Sequence, residues 1–154
     1  MTHDTLDDLR YPKISDLLCF SIYSASHAIT RIYKPFLDDL GVTYPQYLVL
    51  VALWEQDNQT VGGLGRMLHL ESNTLTPLLK RLESMGILQR QRDSKDERQV
   101  RVALTGTGKE MRKRAARIPE CVKQVTGMEL TELQRLQKEI TRLRTHLDQF
   151  DQDK

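Results

Sequence analysis

Cys19 and Cys121 are the only thiols among 154 residues. Cys19 lies in the stretch SDLLCFSIYSASHAITRIY, which also holds Tyr23 and Tyr33. A thiolate is the nucleophilic form of cysteine, and a phenol donating a hydrogen bond to sulfur favours thiolate over thiol. At 100° per residue, Cys19, Tyr23, Ser26, Thr30 and Tyr33 fall within about 40° of one line along a helix. Tyr23 is one turn from Cys19 and can pack on it. Tyr33 is about 21 Å further along the axis. It can meet a Cys19 only if a second copy lays its helix antiparallel alongside. Two readings therefore stand for Cys19: a packed core thiol, or a sensing thiol completed by a two-fold mate.

Cys121 is far from Cys19 in sequence, and there is no CxxC pair, so the chain has no disulfide framework. His3, His27, His69 and His146 are scattered without metal-ligand spacing. Neither a metal nor a cofactor is expected. Both thiols are expected free in a reducing compartment, as packing residues or as reactive ones.

The charge balance bounds the partners. The chain carries 23 basic and 21 acidic residues, a net of +2. Residues 61–117 hold 13 basic and six acidic residues, a net of +7, and the rest of the chain nets −5. A basic middle suits a polyanion, and equally a solvated charged surface. A long uncharged run, Leu17 to Thr30, contains Ser21, Ser24, Ser26 and His27. It falls short of the ~20 apolar residues of a membrane span. The beginning, MTHDTLDDLR, is acidic and polar, unlike a secretory signal. The expectation is one cytoplasmic domain, 1–154, with no membrane partner.

The elements that must place these residues are mostly helical. Ser15 can cap a helix carrying Leu18, Ile22, Ala25, Ile29, Ile32 and Phe36 at helical spacing. Pro35 is expected to kink it and Gly41 to stop it. A second helix is predicted from about Pro45 to Glu55, then a turn, QDNQT. A short helix from Val61 to Leu68 follows, and another opened by Ser72 or Asn73 and closed by Gly86. ILQRQR and RQVRVALT then alternate as strands about the polar turn DSKDE, with Val100, Val102 and Leu104 on one face. Helix resumes after Thr105, with breaks near Pro119 and Gly127. A last helix opens at TELQ and runs from Thr131 to Phe150. Its seam of Leu133, Leu136, Ile140, Leu143, Leu147 and Phe150 suits pairing with another helix. Only the first ten residues and the tail DQDK look loosely ordered.

Helix, short helix, helix and basic hairpin is the order of a helix-turn-helix followed by a wing. The helix that would enter a major groove begins ESNTLTPLLKRLE. Ser72, Asn73, Thr74 and Thr76 suit base edges and phosphates, or plain helix capping. Pro77 follows, and Lys80 can reach the backbone. Lys95 and Arg98 sit at the hairpin tip, with Arg90 and Arg92 on the approach strand. Such a tip can enter a minor groove. Asp96 either neutralises Arg98 or holds the turn and aims it.

Here the chain resembles the MarR family of winged-helix repressors, through GILQRQRDSKDERQVRVALTGTGKE with its Asp96-x-Arg98 wing and Leu104-Thr105. It is closer still to the organic-hydroperoxide-sensing branch, through LCFSIYSASHAITRIYKPFLDDLGVTYPQYLVLVALWE and SNTLTPLLKRLE. Together these cover about residues 12 to 122. TVGGLGRML departs from that branch, which commonly has Glu at the place of Gly63. Gly106 and Gly108 soften the helix after the wing. The resemblance implies a mainly α fold with a small β-hairpin wing. Residues 44–105 would form the winged helix-turn-helix, and about 12–40 and 106–150 the dimerisation helices. It implies that Cys19 is the peroxidatic thiol, with Tyr33 and Tyr44 donating to it across a homodimer interface. It implies that Cys121 resolves the oxidised thiol as a disulfide to the other subunit. The partner would be a palindromic double-stranded operator, and the signal an organic hydroperoxide.

Three functions are open to these residues: a repressor released by thiol oxidation, a repressor released by a phenolic or aromatic acid, and a thiol peroxidase. The last leaves the basic wing unexplained.

Overall fold

The apolar periodicity after Ser15 becomes α1 (Leu18–Leu40) in the computed structural model, which describes residues 12–152. Ser15 does not cap it. It sits in a 3-10 turn (Ile14–Asp16) with its hydroxyl 3.2 Å from Asp16 Oδ1, and Leu17 is the residue before the helix. α1 runs unbroken through Pro35 and ends at Gly41, whose φ of 74° favours a residue without a Cβ. The expected looseness of the first ten residues, and of the end of DQDK, falls on residues 1–10 and 153–154, which lie outside the described residues. The start of that tail continues a helix.

Two compact units divide the chain, one running to Ala116 and one starting at Arg117. In the first, α2 (Tyr44–Glu55) begins with a capping box. Thr43 Oγ1 accepts from the Gln46 backbone N–H at 3.4 Å, and Gln46 Oε1 accepts from the Thr43 N–H at 2.9 Å. Thr60 caps α3 (Val61–Leu68) through the Gly63 N–H. α4 (Ser72–Ser84) buries Leu75, Leu79 and Leu82 along one stripe. These pack with Leu50 and Leu53 of α2 and Leu64 of α3, each almost wholly removed from water. A buried leucine contributes about 1.5–3 kcal/mol, so this stripe fixes the rotation of α4. Ser72, Asn73, Thr74, Pro77 and Lys80 are left exposed or half-buried on the other side.

The hairpin is β2 (Leu88–Arg92) and β3 (Val100–Leu104), antiparallel, with Arg90 opposite Val102. Val102 and Leu104 are buried and Val100 partly so, as the alternation predicts. QDNQT is only half a turn. Gln59–Thr60 forms β1, pairing with Val102 and Arg101 to give the sheet order β1-β3-β2. Two residues are too few to show alternation in sequence.

α5 (Gly106–Ala115) starts at a tight joint. Thr105 Oγ1 lies 2.6 and 2.9 Å from the Gly86 and Ile87 carbonyls and accepts the Gly108 N–H at 3.2 Å. A Cβ at Gly108 would collide with the Ile87 carbonyl. The glycine that weakens this helix in sequence is what lets it approach the sheet.

The break expected near Pro119 falls just ahead of it, at Ala116–Arg117. Pro119 lies in the first turn of α6 (Ile118–Val125), where a missing N–H costs nothing. α7 (Leu130–Gln152) starts one residue before Thr131, and Glu132 accepts the Glu129 N–H at 2.9 Å. Leu133 and Leu143 of its seam are half-buried, whereas Leu136, Ile140, Leu147 and Phe150 are exposed. Among the described residues no helix is long and apolar enough to cross a membrane.

Candidate nucleic-acid interface and thiol site

A cleft of about 480 Å³ opens where α3, α4 and the hairpin meet. Ser72 and Thr76 of the α4 face line it, with Arg90 and Arg98 of the hairpin and Arg66 of α3. Asn73, Thr74, Pro77 and Lys80 are exposed on the same helix, and Lys95 is exposed at the hairpin tip. Neither Ser72 nor Asn73 caps α4. Glu71 is the residue before it, and no side chain closes that end. Thr74 Oγ1 lies 3.5 Å from Asn73 Oδ1, a marginal approach that leaves both able to take other partners.

The hairpin tip is built on carboxylates. Asp96 Oδ1 accepts from both the backbone N–H and Nε of Arg98 at 3.1 Å. The Asp96 carboxyl is held below the usual carboxylate range, chiefly by that guanidinium. Asp96 thus both pairs with the Arg98 guanidinium and holds its backbone in the turn. Asp93 does more. Its Oδ1 accepts the Lys95 and Asp96 N–H groups at 2.7 and 3.1 Å, and its Oδ2 accepts Arg101 Nε at 2.5 Å. Those partners, the Lys95 N–H foremost, lower its pKa. Arg101 in turn donates to the Asn58 carbonyl at 2.6 Å, tying the tip to the segment leading into β1. Arg90 lines the cleft, but Glu83 of α4 holds it. Oε1 accepts its backbone N–H and Oε2 its Nε, both at 2.9 Å.

Cys19 is a free, exposed thiol in the first turn of α1, at the positive end of the helix. Cys121 is free and half-buried in α6, its N–H bonded to the Arg117 carbonyl. Tyr23 stacks edge-on against His27 at 4.3 Å. Tyr33 and Tyr44 meet at 5.0 Å between ring centres, joined by Tyr47 at 5.7 Å from Tyr33. Burial first, then Tyr44 and Tyr47, pushes the Tyr33 phenol up to about 12, and burial also raises Tyr44 and Tyr47. These phenols stay protonated donors at neutral pH. Because α1 is continuous, Tyr33 of one chain lies about 21 Å from its own Cys19 along the axis.

Sequence reasoning missed Asp93, Glu83, Tyr47, Trp54 and Arg66. Asp93 opens DSKD, where an Asp side chain commonly bonds backbone two residues on. The lone tryptophan, Trp54, needed an acceptor for its N–H, and finds the Gly108 carbonyl at 2.9 Å. Glu83 and Arg66 gave no local signal. No group of three or more His, Cys, Asp or Glu among the described residues could hold a metal ion.

Residues 31–115 match a family model described as the transcriptional regulator SarA/Rot. The organic hydroperoxide resistance transcriptional regulator of Bacillus subtilis (strain 168) is 47% identical over 107 residues, 70% of this chain and 73% of that protein. The HTH-type transcriptional regulator TtmR of Methylorubrum extorquens (strain PA1) is 45% identical over 130 residues, 84% of this chain and 67% of that one. AbfR, known from Staphylococcus epidermidis, has been solved reduced on DNA. That structure is 37% identical with a TM-score of 0.72, covering 87% of this chain and 93% of its own. The disulfide form of AbfR, 36% identical over 89% and 91%, superposes with a TM-score of 0.58.

Proposed function

Because the chain belongs to the MarR-type winged-helix transcriptional regulators, in the branch of the organic hydroperoxide resistance regulators, we propose that it is a homodimeric repressor that holds a palindromic operator while reduced and releases it when an organic hydroperoxide oxidises Cys19. It is a regulator of transcription and not an enzyme, as its relatives are. The observation that carries the sensing half is the exposed free thiol of Cys19 in the first turn of α1.

The Cys19 thiolate attacks the peroxide: an S–O bond forms, the O–O bond breaks, and the alcohol leaves after taking a proton. The sulfenic acid then condenses with the thiol of Cys121 of the partner subunit, forming S–S and releasing water. Tyr33 and Tyr44 of the opposite subunit donate to the sulfur, and Tyr23 flanks it. A bridge needs α-carbons within about 7 Å, so any wider reduced spacing must close by helix movement that carries α4 with it. AbfR, solved both reduced on DNA and in a disulfide form, supports a redox change of this kind.

On DNA, Ser72, Asn73, Thr74 and Thr76 face base edges and phosphates, beside Pro77. Lys80 and Lys95 meet the backbone, and Arg98, aimed by Asp96, enters the minor groove. Arg90 forms the cleft wall. The exposed Leu18, Ile22 and Ile29 of α1, and Leu136, Ile140 and Leu147 of α7, supply the dimer interface. Residues 12–40 and 106–150 serve dimerisation and 44–105 DNA. The compartment is the reducing cytoplasm, where both thiols reset.

The test is a non-reducing gel after one equivalent of an organic hydroperoxide. Wild type is expected to run as a covalent dimer, and Cys19→Ser and Cys121→Ser as monomers. Monomer throughout would remove Cys121 as resolver.

A second reading has one observation behind it. A groove of about 320 Å³ beside Arg31, Lys34 and Tyr44 could seat an aromatic acid. Release of DNA by such a ligand in the double cysteine variant would favour it.

A further inference from the structure

Three guanidinium groups line the cleft between α3, α4 and the hairpin, and they differ in what they already hold. Arg90 pairs through its guanidinium with Glu83 Oε2, while Glu83 Oε1 accepts its backbone N–H. Arg98 is paired with Asp96. Arg66 is exposed and has no ion pair or side-chain hydrogen bond among the described residues. Its guanidinium folds back one helical turn over Gly62, with Nη1 3.6 Å from where a Cβ would stand there. An alanine at 62 would sit in ordinary contact with it, while a longer side chain would take its place.

We infer that Arg66 binds a DNA phosphate and is an element of this surface that holds duplex DNA without regard to sequence. A guanidinium matches a phosphate with two parallel N–H bonds, and an unpaired one gives up no protein partner to do so. Arg66 sits on the helix preceding α4, the position that crosses the sugar-phosphate backbone when the following helix enters the groove. Ser72 and Thr76, the short side chains that face bases, share the cleft with it. Among the guanidinium groups of the cleft, a polyanion therefore meets one without a carboxylate partner, on α3, and two that carboxylates already balance. All of this rests on the cleft being the DNA-facing surface.

The experiment is fluorescence anisotropy of the full-length reduced protein on two labelled duplexes. One is selected from a random pool by the wild type and the other is unrelated in sequence, each titrated across a KCl series. Arg66→Gln is expected to weaken both duplexes by the same factor. It should lower the slope of log affinity against log salt by about 0.9 for each phosphate no longer neutralised. Arg66→Lys, which keeps the charge and loses the fork, should recover most of the slope and only part of the affinity. Thermal melting of each variant shows whether the fold is intact, as expected for an exposed side chain. An unchanged slope in Arg66→Gln, or a weakening confined to the selected duplex, would overturn the phosphate assignment. Failure of the wild type to bind either duplex would overturn the DNA-facing reading and the role of Arg66 with it.

Discussion

The indole of Trp54, near the end of α2, donates to the Gly108 carbonyl in the first turn of α5 at 2.9 Å. Its ring also stacks on Tyr47 at 6.2 Å between centres, and Tyr47 touches Tyr33 and Tyr44. A continuous row of aromatics thus leads from the candidate sensing phenols to Gly108. There α5 lies against the Ile87 carbonyl at the root of the hairpin.

Trp54→Phe keeps an aromatic ring and removes the indole donor to the Gly108 carbonyl, which retains its place in the α5 ladder. Urea unfolding should show a destabilisation of about 0.5–1.5 kcal/mol at unchanged m-value. Gly108→Ala should cost about 1–3 kcal/mol, because the new methyl meets backbone that cannot yield. Wild-type midpoints for both variants would remove this joint from the account.

Glu83 and Arg90 tie α4 to β2. The pair is partly exposed, so a double-mutant cycle with Glu83→Gln and Arg90→Gln should return a coupling of about 1 kcal/mol or less. The larger effect should appear on DNA. Each single variant should weaken binding, because the hairpin is no longer held at a fixed distance from α4. Wild-type affinity in both variants would count against the brace.

The wing carboxylates set an acid limit. Asp93, Asp96 and Glu83 all titrate below their ordinary values because hydrogen bonds favour their charged forms. A lowered folded pKa means the stabilisation is fully present above the unfolded value, near 4, and is lost as pH falls through the folded one. Amide chemical shifts of residues 93–101 should hold steady from pH 7 to about 5 and change only below about 4. Asp93→Asn should loosen the tip already at pH 7. A wing transition near pH 6 would contradict this.

Tyr33 sets the alkaline limit. Its phenol is raised to about 12. A raised folded pKa leaves stability intact below the unfolded value, near 10, and erodes it as pH climbs towards 12. Ultraviolet titration should show a tyrosine that ionises last and together with unfolding. Tyr33→Phe should blunt the alkaline loss. Ionisation of every tyrosine near pH 10 in the folded protein would refute the burial argument.

Periodic features were legible in the sequence. The leucine stripe of α4, the alternation in β3 and the glycine stop at Gly41 each repeat or end a local rule. The pairing of Asp96 with Arg98 was legible because two residues separate cause from effect. Long-range pairings were not. Trp54 to Gly108, Glu83 to Arg90 and Arg101 to Asn58 depend on how elements dock, which no window of sequence contains. The break near Pro119 was legible, but not that it lies just ahead of the proline. Proline ends one helix and begins another equally well, and sequence alone does not say which. Gly108 read as a weak point in a helix, whereas the space it leaves is taken by the Ile87 carbonyl.

The central claim is that oxidation of one thiol ends DNA binding. The most direct measurement is anisotropy on a duplex selected by the reduced protein, before and after one equivalent of an organic hydroperoxide, for wild type and Cys19→Ser. The account predicts that the wild type loses binding and regains it with dithiothreitol, while Cys19→Ser binds equally throughout. Release of DNA from Cys19→Ser by the same peroxide would contradict it.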